Sequence, residues 1–134
     1  MHEIKLRVYW EDTDAGGRVY YANYLKFAER GRTELLRSIG VEQARLMAAD
    51  GAAFVVTRCS IEYRRGAQLD DLLTVATEVT VLRGASIGMK QTIFCGDIKM
   101  ADLQVELACL DSHGRPTRIS PSIRSALQET IAAS

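Results

Sequence analysis

Hydrophobic positions along this chain change their spacing twice. The changes divide it into a short strand, a helical stretch and a long β-rich half. Residues 4–10 alternate, with Ile4, Leu6 and Val8 on one face, which predicts a strand. Residues 21–39 repeat at helical spacing: Tyr24, Ala28, Gly31, Leu35 and Ile39 form one stripe, and Lys26, Arg30, Thr33 and Arg37 fall elsewhere. The small residues Ala28 and Gly31 leave room for another element to approach this helix closely. Gly40 supplies the stop, and a shorter helix over 41–49 ends at Asp50-Gly51.

Period two then takes over. In 53–63, Val55, Cys59, Ile61 and Tyr63 share one face, and Arg58, Ser60 and Glu62 the other. Leu73, Val75, Val79 and Val81 alternate against Thr74, Glu78 and Thr80. Two more strands are predicted over 87–95 and 98–110, the last with Leu103, Val105, Leu107 and Cys109 facing inward. The connections at 64–70, 83–85 and 96–97 are short enough for an antiparallel meander. After a turn at 111–116, Ser120-Pro121 reads as an N-cap with proline at the first helical position, opening a helix to about residue 130.

One long helix must bury its stripe, and one antiparallel sheet must cover its inner face. The economical solution is an α+β domain in which a curved antiparallel sheet wraps around one long central helix. A length of 134 residues predicts a single domain over 1–134. Seventeen basic residues balance seventeen acidic ones, so no global field draws in nucleic acid or an anionic membrane, and an anionic ligand needs a local basic cluster. Cys59, Cys95 and Cys109 are widely spaced, which predicts buried free thiols rather than a disulfide framework or a zinc site. Met1 to Lys5 lacks an apolar core, so no secretory signal is expected, and no apolar run approaches membrane-spanning length. A cytoplasmic protein without membrane insertion is the expectation.

The densest chemistry lies between the first strand and the long helix. Glu11, Asp12, Thr13, Asp14, Ala15, Gly16 and Gly17 lead through Arg18, Val19, Tyr20 and Tyr21 into the helix start. Asp and Gly are common turn residues, so a solvated turn is the plain reading. The flanks add to it: a carboxylate near a helix N-terminus can act on a carbonyl whose developing oxyanion meets free N–H donors. Gly16 and Gly17 also clear space for a ligand.

Glu-Asp-Thr-Asp-Ala-Gly-Gly, the Asn23-Tyr24 pair and Glu29-Arg30-Gly31-Arg32 resemble the signature of hotdog-fold acyl-CoA thioesterases. The superfamily is that of 4-hydroxybenzoyl-CoA thioesterase, and the wording is nearest to its Tol-Pal-associated, YbgC-like branch. Phe54-Val55-Val56, Ile61-Glu62-Tyr63, Leu69-Asp70-Asp71 and Arg83-Gly84-Ala85-Ser86 extend the likeness over almost the whole chain. The resemblance implies a hotdog fold and hydrolysis of an acyl-CoA, or of the same thioester on an acyl-carrier protein, to a free acid. It places Asp14 on the catalytic carboxylate and the Tyr21 N–H on the donor that polarises the thioester carbonyl. YbgC-like members usually carry histidine where this chain has Tyr21; a main-chain donor survives that change. It also implies a homo-oligomer, a dimer or dimer of dimers, with acyl sites at subunit interfaces, and neither metal nor redox cofactor. The alternative it offers is a non-catalytic acyl-thioester-binding or scaffold protein at the Tol-Pal envelope machinery.

Around this centre, Gly16, Gly17, Arg83, Ser86 and Arg118 are the substrate-binding candidates. Arg83 and Arg118 fall near positions where relatives hold CoA phosphates, and Lys90 and Arg115 are further basic candidates. Asp12 is expected to organise the loop through local hydrogen bonds. Glu29 lies about 12 Å along the helix from Tyr21, at 1.5 Å per residue, and is expected to partner Arg32. Gly84-Ala85-Ser86-Ile87-Gly88 fits the GxSxG elbow of serine hydrolases, but residues 89–94 after it read as strand rather than the helix that elbow needs.

Overall fold

In a computed structural model describing residues 1–132, the chain runs β1 (His2–Arg7), a 3-10 turn (Trp10–Asp12), α1 (Asn23–Ser38), α2 (Gln43–Asp50), β2 (Ala53–Tyr63), β3 (Leu72–Leu82), β4 (Ser86–Cys95), β5 (Ile98–Leu110) and α3 (Pro121–Ala132). The five strands form one antiparallel sheet in the order β1-β3-β4-β5-β2. The segment expected as a meander turn at 64–70 is therefore a crossover. It carries the chain from one edge of the sheet, past β5 and β4, to β3.

α1 sits against this sheet through Tyr24, Phe27, Ala28, Gly31, Arg32, Leu35 and Leu36, all buried. Phe27, Leu35 and Leu36 are almost wholly enclosed, each contributing about 1.5–3 kcal/mol. Its close approach depends on Gly31: a Cβ there would stand 2.7 Å from Val75 Cγ1 and 2.9 Å from Thr77 Oγ1. Beneath it lies a buried polar knot. Gln91 Nε2 donates to Ala28 O at 2.8 Å and to Thr77 Oγ1 at 2.9 Å, and Arg32 donates to Gln91 Oε1 at 3.0 Å. α1 ends in a Schellman turn, with Gly40 at φ +86°, its N–H on Arg37 O, and the Val41 N–H on Leu36 O.

Three sequence expectations change here, each for a geometric reason. Val55 leaves the face of Cys59, because an irregularity between Val56 and Arg58 shifts the register by one residue. Val81 likewise turns outward after a shift between Val79 and Val81, and Leu82 takes the inward place opposite buried Ile87. Cys59 is exposed, Cys95 half-buried and only Cys109 buried: Cys59 sits on the largely exposed edge strand β2, Cys95 is the last residue of β4, and Cys109 lies on β5 inside the sheet. β2 is an edge strand whose outer flank has no partner within the described residues.

Candidate active site

The acidic loop is tied by its own backbone. Asp12 Oδ2 accepts the Tyr9 N–H at 2.9 Å. Its carbonyl receives the Tyr20 N–H at 3.0 Å and Asn23 Nδ2 at 2.8 Å. Asp12 therefore fastens both ends of the loop, the organising part its position suggests.

Asp14 stands at the tip and is exposed. Its Oδ1 accepts the N–H of Gly16 at 2.9 Å and of Arg18 at 3.2 Å, and its own N–H donates to Arg18 O at 2.7 Å. Oδ2 has no partner among the described residues. Gly17 adopts φ +76°, which L side chains resist, so the tight return past Asp14 needs glycine there. At Gly16 a Cβ would approach Asp14 Oδ1 to 3.3 Å.

Tyr21 lies in the turn just before α1, two residues ahead of Asn23, rather than inside the helix. The Asn23 N–H bonds Tyr20 O at 2.8 Å and the Tyr24 N–H bonds Tyr21 O at 3.3 Å. Those carbonyls point along the helix, and a trans peptide sets N–H opposite C=O, so the Tyr21 N–H is aimed off the helix start. No group among the described residues accepts it.

Asp14, Tyr20, Tyr21, Tyr24 and Tyr63 line one open groove of about 480 Å³, with Arg64 at its rim. Tyr63, the last residue of β2, donates its hydroxyl to Tyr21 O at 3.1 Å. Its ring meets Tyr24 and Tyr21 edge-on, at centroid distances of 5.5 Å and 6.3 Å. Tyr24 is buried and its hydroxyl accepts the Ala67 N–H at 2.9 Å. Partial desolvation raises the phenols of Tyr24 and Tyr63, and a side-chain hydrogen bond with Tyr21 raises that of Tyr20. Arg64 pairs with Asp102, and with Glu62 at 3.0 Å; the bond from Arg64 holds the Asp102 carboxyl below the usual carboxylate range.

Arg83, Ser86 and Arg118 gather at the other end of the sheet. β3 spans 11 residues, so Arg83 lies roughly 35 Å from the Leu72 end that neighbours the acidic loop. Arg83 faces Glu106 at 3.3 Å. Ser86 opens β4, with a strand after it and no helix, so the elbow geometry of a serine nucleophile is absent. Arg118 is exposed beside a cavity of about 340 Å³ walled by Phe54, Ile119 and Ile123. Arg124, which hydrophobic spacing does not single out, donates to the carbonyls of Arg83 and Gly84 and fixes that corner. Lys90 stands across from Glu78, and the Arg115 main chain closes the Asp111 turn. The expected Glu29–Arg32 pair is not formed. Both residues line a cavity of about 420 Å³ between α1 and β2, but Arg32 bonds Gln91, and its burial lowers the guanidinium below its ordinary value.

Among the described residues, no helix is long and apolar enough to cross a membrane, and no three acidic, histidine or cysteine side chains gather as a metal site.

Residues 8–127 match the model of the thioesterase-like superfamily. The acyl-CoA thioesterase YbgC of Haemophilus influenzae is 46% identical over 106 residues, covering 79% of this chain and 78% of that protein. The acyl-CoA thioester hydrolase YbgC of Escherichia coli O6:H1 is 42% identical over 129 residues, 96% of this chain and 90% of that one. Among solved structures, a probable thioesterase from Bartonella henselae superposes with a TM-score of 0.86 at 39% identity, over 89% of this chain and 98% of its own.

Proposed function

The chain belongs to the thioesterase-like superfamily and is a thioester hydrolase of hotdog fold; from that premise we propose that it cleaves acyl-CoA thioesters with Asp14 as the catalytic carboxylate and the Tyr21 N–H as oxyanion donor. The observation that carries this reading is the pairing of two unspent groups beside one groove. Asp14 Oδ2 and the Tyr21 N–H each lack a partner among the described residues, while Asp14 Oδ1, Asp12 and the Asn23 amide beside them are tied.

The chemistry rests on those two groups. Thioester resonance is weak and a thiolate leaves readily, so no strong general acid is needed. Asp14 Oδ2 attacks the carbonyl carbon, giving an acyl anhydride and CoA thiolate that water then resolves, or it takes a proton from the attacking water. Either way the carbonyl oxygen gains negative charge, which a fixed N–H at that place stabilises by about 3–4 kcal/mol.

Two copies join along β2, antiparallel, and close the open edge. A long exposed edge carrying Val55 and Val56 favours such pairing. The Tyr63 end of one strand then lies beside the Ala53 end of the other. Ala53 pairs with Leu110, and Ser86 with Ala108, so the corner of Arg83, Ser86 and Arg118 accompanies that end. The second copy thus brings its basic corner to the phosphates of a CoA whose thioester lies at Asp14. A dimer, or a dimer of such dimers, acting in the cytoplasm on acyl-CoA or an acyl-carrier protein fits this arrangement.

The test is release of free thiol from a panel of acyl-CoAs varying in chain length and aromaticity. Turnover by the wild type with loss in Asp14→Asn is expected. No turnover above background on any chain would overturn the enzyme reading, leaving an acyl-thioester-binding role. Loss in Ser86→Ala with Asp14→Asn spared would overturn the site.

A further inference from the structure

Thioester hydrolysis by Asp14 and the Tyr21 N–H makes no direct use of Tyr63, yet Tyr63 connects the edge strand to the turn that carries the oxyanion donor. Its hydroxyl reaches Tyr21 O at 3.1 Å across 42 positions of sequence. That carbonyl otherwise receives the long 3.3 Å bond from the Tyr24 N–H, at a helix start where Ala22 provides no side-chain cap. Asp12 O ties the Tyr20 N–H and Asn23 Nδ2 on either side, but Tyr21 between them is restrained through its carbonyl by Tyr63 and the long Tyr24 bond alone. The tyrosine ring is itself held edge-on by Tyr24, which is buried and anchored to the Ala67 N–H. The hydroxyl therefore comes from a fixed wall of the groove.

We propose that Tyr63 is a positioning residue for thioester hydrolysis: its hydroxyl pins Tyr21 so that the Tyr21 N–H meets the carbonyl oxygen in a fixed place. This rests on the thioesterase reading and adds to it a requirement that the acidic loop does not contain. The donor's placement depends on the far end of β2, the strand whose free flank awaits a second copy. Tyr63 donates while protonated, and its raised phenol remains so throughout the neutral range.

Tyr63→Phe tests the hydroxyl while keeping the ring that packs on Tyr21 and Tyr24. Steady-state thiol release should show kcat reduced about 3–10-fold, the scale of one hydrogen bond, with KM within twofold of wild type. In parallel, the ¹³C carbonyl resonance of Tyr21 should shift in the variant, and the melting temperature gives the control for folding. A purely structural part for Tyr63 would lower the melting temperature with kcat unchanged, and that result overturns the proposal. A rise in KM at constant kcat overturns it as well, since the hydroxyl would then serve binding alone. Failure of the thioesterase reading looks different: wild type, Tyr63→Phe and Asp14→Asn would all be inert, and the proposal would fall with it.

Discussion

Asp14 Oδ1 and the Gly16 N–H, 2.9 Å apart, close a small turn that spends one carboxylate oxygen on structure and leaves the other free. Asparagine can keep this turn, because its side-chain carbonyl oxygen accepts the same amides, while replacing Oδ2 with a group that is neither nucleophile nor base. Asp14→Asn should therefore fold like the wild type and lose at least about 100-fold in kcat. Circular dichroism and thiol-release kinetics on one preparation check both halves.

Arg118 is exposed and remote from Asp14 within one chain, so its effect should fall on binding. Arg118→Ala is expected to raise KM for acyl-CoA about tenfold, the value of a charge-assisted contact to phosphate, with kcat preserved. Inhibition by free CoA should weaken in parallel. An unchanged KM would remove Arg118 from the CoA site.

Lysines on a free strand edge oppose pairing with another strand. Val55→Lys combined with Val56→Lys places charge on both faces of β2, at residues 36% and 47% exposed. Sedimentation should then show a smaller species, and turnover should drop with it. A variant that dissociates but stays fully active would show that one chain suffices.

Gly31→Ala pushes a methyl to within 2.7 Å of Val75 and 3.0 Å of Gln91 Nε2, across the polar knot that fixes α1. Overpacking of this kind costs about 1–3 kcal/mol. Denaturant melts read it directly, and a neutral result would mean that the helix can lift off the sheet without loss.

Asp102 has its carboxyl held down by Arg64, so its folded value lies below its unfolded one. Its contribution is present above the unfolded carboxylate value near 4 and is lost as pH falls through the lower folded value. Asp102→Asn should melt slightly below wild type at pH 7, and the gap should close as pH falls from the ordinary carboxylate range into stronger acid. A gap that persists in acid would point to packing rather than charge.

Much of the fold was legible because its signals are local. The stripe through Tyr24, Ala28, Gly31 and Leu35, the stop at Gly40 and the alternation along β5 each need only neighbours a few residues apart. Alternation fails where a single extra residue reverses the facing, which is why Val55 and Val81 depart from their expected faces. It is silent on strand order, so the crossover at 64–70 read as a turn. As candidates, Asp14 and Tyr21 were readable from the resemblance of one contiguous stretch of loop and helix start. Tyr63 was not: its part depends on a hydroxyl meeting a carbonyl 42 positions away. Gln91 was hidden too, a polar residue at an inward strand position that makes sense only once Ala28, Thr77 and Arg32 surround it.

The open flank of β2 also governs how the chemistry scales. In the proposed pairing each reactive end borrows its basic corner from another molecule, so dilution removes half of every site at once. Below the dissociation constant of the pair, the population of complete sites varies as the square of chain concentration. Thioester lifetime would then respond more steeply than linearly to expression level, giving a threshold that needs no effector and no second binding site.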